Sequence, residues 1–242
     1  MPRKAQTESV ADAHAAPGGA AAVDRALTLL SAFKTRDTSL GLSELAQRTQ
    51  LYKSTALRLL ASLEHARLIQ KLEDGRYALG AEVARLHSVY AASFSLERVV
   101  VPVLRDLVAA TGESAAYHVT QGAARLCLYR VDSPHPVRDH IRAGDVLPAD
   151  RGTGARILIA FSSSGERATD QKDRQLYAKI RAQGYFAGIG DRLADVAGIS
   201  APVFTADGTL AGALTLTMPA NRYIEGHVKH VLEAARQLTS RV

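Results

Sequence analysis

Between Leu42 and Gly80 the apolar positions change period twice. Leu45 and Ala46 give the inner side of a short helix, for which Ser43 is a candidate N-cap. Ala56, Leu57, Leu60 and Leu63 then recur at spacings of three and four, one buried stripe of a second helix. Leu68 and Ile69 open a strand, Asp74-Gly75 is a tight-turn pair, and Tyr77 and Leu79 return in alternation, so a hairpin follows. An upstream stripe, Val23, Ala26, Leu27, Leu30 and Phe33, supplies the third helix that so small a core needs. The order predicts a winged helix-turn-helix over residues 21–80.

The rest of the chain reads as a second domain, residues 95–242, reached through a linker helix over 81–94. Leu96 to Ala110 is amphipathic, with Val99, Val100, Val103, Leu104 and Leu107 on its apolar side, and Thr111-Gly112 ends it. Strand-like runs follow at Ala115–Thr120, Arg125–Asp132 and Arg138–Arg142, then helices at Thr153–Phe161 and about Gln171–Gln183. Ile199–Phe204 and Thr209–Met218 flank the turn signal Ala206-Asp207-Gly208. A last helix buries Val228, Val231, Leu232, Ala235 and Leu238. This order predicts an α+β domain with an antiparallel sheet. Residues 1–20, rich in Ala, Gly and polar residues, read as a disordered tail.

Composition narrows the class. The 242 residues suffice for two modest cores, and 47% hydrophobic with 22% charged is ordinary for a soluble globular protein. A net charge of +6 suits a polyanionic partner. The single cysteine, Cys127, excludes an intramolecular disulfide framework and fits the cytoplasm; lying between Leu126 and Leu128, it reads as a buried strand residue. No segment has the length of a membrane span, and the N-terminus lacks the apolar stretch of a signal peptide.

The chemistry concentrates at the turn and the second helix. Arg48, Gln50, Tyr52, Lys53, Ser54, Thr55 and Arg58 stand together with no acidic residue among them. Lys and Arg neutralise phosphates, while hydroxyls and amides reach phosphate oxygens or base edges in the major groove. Double-stranded DNA is the implied partner, although a solvated outer face on a merely structural domain shows the same pattern. Lys53-Ser54 is no phosphate-binding loop, because the required glycines would fall at Gln47 and Tyr52.

These residues make the chain similar to a known family. Leu42-Ser43-Glu44-Leu45-Ala46, Lys53-Ser54-Thr55, Arg58-Leu59-Leu60 and the wing Asp74-Gly75-Arg76-Tyr77-Ala78-Leu79-Gly80 form one signature. Gly184-Tyr185, Ile199-Ser200-Ala201-Pro202-Val203-Phe204, Asp207-Gly208 and Leu214-Thr215-Leu216-Thr217 before Pro219 form another. In order and spacing the chain resembles the IclR family of bacterial transcriptional regulators from about Val23 to its end. The resemblance implies a DNA-binding head joined to a GAF-like effector-binding domain, acting as a homodimer or dimer of dimers on a palindromic operator. It places DNA contacts at Ser43, Arg48, Tyr52, Lys53, Ser54, Thr55, Arg58 and Arg76. Gln50 stands where the family usually has Gly, and Tyr52 where it usually has Pro.

The resemblance also implies an effector pocket at Thr153 and Gly154, the Gly188–Asp191 loop including Asp191, Gly198, Thr215 and Thr217. Independent chemistry agrees: the amides that open a helix near Gly154 suit an anion, and Thr215 and Thr217, two apart on a strand, share one face. Arg151 and Arg156 flank the loop, as carboxylate partners or as solvated charges. Gly198 replaces a Cys of some members and Gly188 a common acidic residue, which suggests a larger, less negative pocket and a branched or aromatic carboxylate.

An enzyme, or a sensor module without a DNA role, is the alternative. Catalysis finds little support: no Gly-x-Ser-x-Gly elbow surrounds Ser162–Ser164, and Gly188-Ile189-Gly190 lacks the third glycine of a dinucleotide loop. His118, His135 and His140 with Asp132 and Asp139 match no metal-ligand spacing. No catalytic residue, cofactor or metal site is expected.

Overall fold

A computed structural model gives the fold, describing residues 9–93, 96–162 and 170–242. The chain divides into two compact units, Met1–Ser93 and Phe94–Val242.

The first unit contains helices α1 (Val10–Ala13), α2 (Ala21–Ser31), α3 (Leu42–Thr49) and α4 (Lys53–His65), hairpin strands β1 (Ile69–Lys71) and β2 (Tyr77–Leu79), and helix α5 (Ala81–Ser93). Leu29, Leu40, Leu45, Ala56, Leu60, Leu63, Ile69 and Tyr77 fill its core. The hairpin is antiparallel, and Leu40 bridges Tyr77 as a further rung.

Three expectations change here. On α2 the buried face is centred on Leu29 with Ala26, Ala32 and Phe33 three and four residues away, whereas Val23 and Leu27 are more than half exposed. At 100° per residue, Val23 and Leu27 project away from Leu29, so these two leave the expected stripe while its Ala26, Leu30 and Phe33 pack against the core. On α4, Leu57 is 48% exposed while Leu59 packs against the core. Ser43 does not cap α3: Gly41 does, and the Glu44 carboxylate accepts the Gly41 N–H at 2.7 Å. Glu44 thereby supplies the N3 half of a capping arrangement without a hydroxyl.

Residues 1–8 of the expected tail lie outside the described residues; residues 9–20 begin with α1. Ser9 Oγ accepts the Asp12 N–H at 3.2 Å, and the Asp12 carboxylate takes Arg25 Nε and Nη2 at 3.0 Å each. A cap and a bidentate ion pair thus order a segment whose composition is that of a solvated chain.

The second unit is built on a six-stranded antiparallel sheet. Its elements are α6 (Leu96–Thr111), β3 (Ser114–Gln121), β4 (Ala124–Val131), β5 (Val146–Pro148), α7 (Thr153–Ala160), α8 (Gln171–Gln183), β6 (Phe186–Ile189), β7 (Val196–Phe204), β8 (Leu210–Pro219) and α9 (Val228–Leu238). The strand order is β5-β4-β3-β8-β7-β6. Strand alternation assigns the two faces. Ala115, Tyr117, Ile199, Ala201, Val203, Leu214, Leu216 and Met218 pack with α6 and α9. Ala213 packs with Ile157, Leu158 and Ala160 of α7 and Tyr177 and Ile180 of α8.

Arg138–Arg142 is not a strand. Asp139 accepts the His140 N–H at 2.8 Å and Asp145 the Arg142 N–H at 2.7 Å, so these amides bond to side chains instead of a ladder. The neighbour of β4 is β5, which pairs through Ala124–Leu126. Between Tyr117 and His118 the register with β4 shifts: Tyr117 faces Tyr129, but His118 faces Cys127. The extra residue of this bulge, Leu128, changes the phase of β4. Cys127 therefore packs with Ala116 and Ile141 on the α7 side, while Tyr129 lies against the α6 core. Arg125, two residues from Cys127, shares that α7-side phase.

Candidate functional site

On the α7 side of the sheet a cavity of about 30 Å³ lies in a cleft of about 350 Å³. Each effector residue expected from the sequence lines it: Thr153, Gly154, Asp191, Gly198, Thr215 and Thr217, with Gly188. Three ionisable residues that sequence reasoning did not assign to it also line it, namely His118, Arg125 and Arg192.

Close backbone approach shapes the floor. A methyl group built on Gly154 would stand 2.8 Å from Thr215 Oγ1 and 3.5 Å from both Arg125 Nη1 and His118 Nδ1. One on Gly152, where φ is +92°, would stand 2.9 Å from Arg125 Nη2. Side chains from β8, β4 and β3 therefore converge on the bare first turn of α7. The amides of Thr153 and Gly154 belong to that turn, where no intrahelical carbonyl reaches them, and the helix presents its positive end to the cavity. Ser200 Oγ lies 2.8 Å from Thr153 Oγ1 and 2.9 Å from Thr215 Oγ1, a buried hydroxyl chain that fixes both threonines.

Two sequence expectations are revised by this geometry. Gly198 does not enlarge the pocket, because a methyl there would meet Thr153 Oγ1 at 2.5 Å: the threonine already fills the space. The Asp191 carboxylate is engaged within the protein, accepting the Gly152 N–H at 2.6 Å and Arg156 Nη2 at 3.1 Å. It ties the loop after β6 to the start of α7 and accounts for Arg156. Arg151 is exposed and pairs with its neighbour Asp150 at 3.1 Å.

The charges around the cavity are unevenly matched. Arg192 pairs with Asp139 at 2.9 Å, and Arg130 pairs with Asp132 at 2.7 Å. Arg125 is buried; its Nε donates to the Pro148 carbonyl at 3.2 Å, and no carboxylate pairs with it among the described residues. Burial, reinforced by the Arg192 charge, pushes its pKa down to about 10. His118 is buried too, and neither ring nitrogen has a hydrogen-bond partner among the described residues. Burial, then the charges of Arg125, Arg130 and Arg192, holds its pKa well below the usual range, so the ring is neutral near pH 7. Burial also pushes the Cys127 thiol up to about 12, which removes it from thiolate chemistry. Arg125 was visible in the sequence as a cation in phase with Cys127 along an apolar strand. His118 and Arg192 gave no comparable signal, because the meeting of His118 with Arg125 depends on the β4 bulge at Leu128 and Arg192 is held by its ion pair with Asp139.

The first unit presents a second candidate surface. Tyr52 precedes α4 and is 57% exposed; Lys53, Ser54 and Arg58 are exposed and Thr55 is half-buried. Lys53 and Arg58 have no carboxylate partner among the described residues. Ser54, Thr55 and Arg58 line one groove with Arg25. Ser43 is exposed on the first turn of α3. Arg48 and Arg76 are committed within the protein. Arg48 pairs with Asp37 and donates to the Ala32 carbonyl at 2.9 Å, and Arg76 donates to Ser39 Oγ at 2.9 Å and lies 3.1 Å from Glu44. Gln50 takes the left-handed conformation at the end of α3, φ 55° and ψ 28°.

Comparison with known proteins matches both units. The model of the IclR helix-turn-helix domain covers residues 22–73, and that of the bacterial transcriptional regulator IclR C-terminal domain covers residues 88–242. The glycerol operon regulatory protein of Streptomyces coelicolor is 26% identical over 230 residues, 88% of this chain and 91% of that protein. The transcriptional repressor IclR of Escherichia coli is 23% identical over 248 residues, 93% and 90% of the two chains. An IclR homologue from Microbacterium hydrocarbonoxydans, crystallised with 4-hydroxybenzoate, shares the fold with a TM-score of 0.79 at 22% identity, covering 90% of this chain and 98% of its own.

Proposed function

This chain belongs to the IclR family of bacterial transcriptional regulators, and from that premise we propose how its two units share the work. It is a DNA-binding regulator with a C-terminal ligand-binding domain; the relatives it matches are regulators, not enzymes. In our reading α4 enters the major groove of a palindromic operator. Tyr52, Lys53, Ser54, Thr55 and Arg58 make the contacts, with Ser43 at the neighbouring backbone. Arg48 and Arg76 brace the turn and the wing through Asp37 and Glu44 and lend charge from there. A homodimer, or a dimer of dimers, presents paired heads in the cytoplasm.

The C-terminal cavity takes a small carboxylate. The observation that carries this reading is Arg125, a buried guanidinium without a carboxylate partner, aimed at the first turn of α7. Such a cation is costly to bury and pairs naturally with an anion. Thr215 and Thr217 donate from β8, and Asp191 positions the α7 entry. A structural relative crystallised with a carboxylic acid, 4-hydroxybenzoate, adds support. For the acid to regulate, it must bind one arrangement of the paired heads better than another.

Arg58→Ala tests the head. Affinity for a selected duplex should fall, and the slope of log K against log salt should lose about 0.9, one phosphate contact. Carboxylate affinity should stay unchanged. A folded variant with wild-type affinity and slope removes Arg58 from the DNA contacts.

A further inference from the structure

We propose that His118 is a specificity residue of the effector pocket, reading a hydroxyl or carbonyl oxygen carried next to the carboxylate that Arg125 holds. The proposal rests on the carboxylate reading above and narrows it to hydroxy- and oxo-acids.

Three observations carry it. The first is convergence. His118 Nδ1 and Arg125 Nη1 both lie 3.5 Å from the position of a single methyl carbon on Gly154, from which Thr215 Oγ1 is 2.8 Å away. A cationic donor, an imidazole and a hydroxyl thus cluster against the first turn of α7 in the wall of the cavity, side by side for an anion and a polar group next to it. The second is that His118 is 1% exposed and lines the cavity, yet both its ring nitrogens are unpartnered among the described residues. A buried polar group without a partner is a cost that a native site resolves with a ligand or water. The third is strand phase. His118 alternates onto the same face of β3 as Ala116, and the β4 bulge at Leu128 brings Cys127, and with it Arg125, onto that face.

The neighbours determine what His118 can read. Arg125, Arg130 and Arg192 surround it, and the nearby carboxylates are engaged: Asp139 by Arg192 and Asp191 by Arg156. Their field, together with burial, keeps the ring neutral, with one N–H donor and one acceptor nitrogen. A neutral ring is a poor counter-ion but a good partner for an uncharged oxygen. Hydroxyls suit either tautomer, and carbonyls suit the donor nitrogen. The carboxylate itself goes to the permanent cation, Arg125, and to the α7 amides.

The test is calorimetric titration of the full chain with matched pairs of acids: 2-hydroxypropanoate against propanoate, and 2-hydroxybenzoate against benzoate. In the wild type the hydroxylated member of at least one pair should bind about tenfold more tightly. His118→Leu should bring that ratio below about threefold, and His118→Gln should restore part of the ratio. Arg125→Met should abolish binding of both members. A ratio that persists in a folded His118→Leu protein overturns the assignment to His118 and leaves the carboxylate reading standing. If no acid binds in an Arg125-dependent way, the carboxylate reading fails and this inference fails with it. Equal wild-type affinities within both pairs overturn the narrowing to hydroxy- and oxo-acids.

Discussion

Replacing Arg125 with Met should make the ligand-free protein more stable while destroying its affinity for carboxylates. Met keeps the length of the buried stem and removes the charge. Burial and the nearby Arg192 lower the guanidinium pKa from 12.5 to about 10, which corresponds to about 3 kcal/mol by which the folded state disfavours the charge. Against that, the variant loses the hydrogen bond to the Pro148 carbonyl, about 1 kcal/mol. The net expectation is about 2 kcal/mol of added stability at neutral pH, or roughly 4–8 °C in the melting of a unit of this size. Differential scanning calorimetry without ligand, paired with carboxylate titrations of both proteins, measures the two sides of the trade. Functional sites commonly hold such an opposition between stability and affinity. A ligand-free variant less stable than wild type, or one that still binds the acid, would show that Arg125 is a structural cation and refute the reasoning.

Other consequences follow from single residues. Gln50 sits in the left-handed region, which costs a residue with a Cβ about 1–2 kcal/mol. Gln50→Gly should therefore stabilise the first unit by about 0.5–1 kcal/mol in urea titrations, once the extra chain entropy of glycine is subtracted. Asp191→Asn should loosen the α7 entry and cost about 1–3 kcal/mol of stability, with weaker acid binding seen by calorimetry. Because the native pKa of His118 lies below its unfolded value, the unfolded state binds the extra proton first as pH falls. Stability should therefore decline below about pH 6.5, with a slope approaching about 1.4 kcal/mol per pH unit until the native pKa is reached. His118→Gln should lack that component, as denaturant titrations of both proteins across pH 7 to 5 would show.

The architecture was legible where local pattern and tertiary packing agree. The α4 stripe apart from Leu57, the Asp74-Gly75 hairpin, the β7–β8 pair and the terminal helix all carry apolar spacing matched to their element. Legibility failed where neighbouring elements choose among plausible faces. On α2 the apolar residues Val23, Leu27 and Leu29 permit more than one stripe, and packing of the unit selects Leu29. Arg138–Arg142 looked extended, but Asp139 and Asp145 take its amides. In the pocket, the glycines and threonines were readable because backbone approach and hydroxyl phase are local properties. The Arg125–His118 pair was not, since a one-residue bulge sets which strand residues share the cavity. Gly198 misled for a related reason: the space it leaves belongs to Thr153, 45 residues away in the chain.

The central claim is that one molecule couples an acid in the β-sheet cavity to DNA on α4. Its most direct test measures carboxylate affinity by calorimetry for the free protein and again for the protein saturated with a duplex selected from a random-sequence pool. The account predicts that the two affinities differ by at least about fivefold, that duplex affinity changes by the same factor when the acid is saturating, and that both differences vanish in Arg125→Met. Equal acid affinities with and without bound duplex would contradict it.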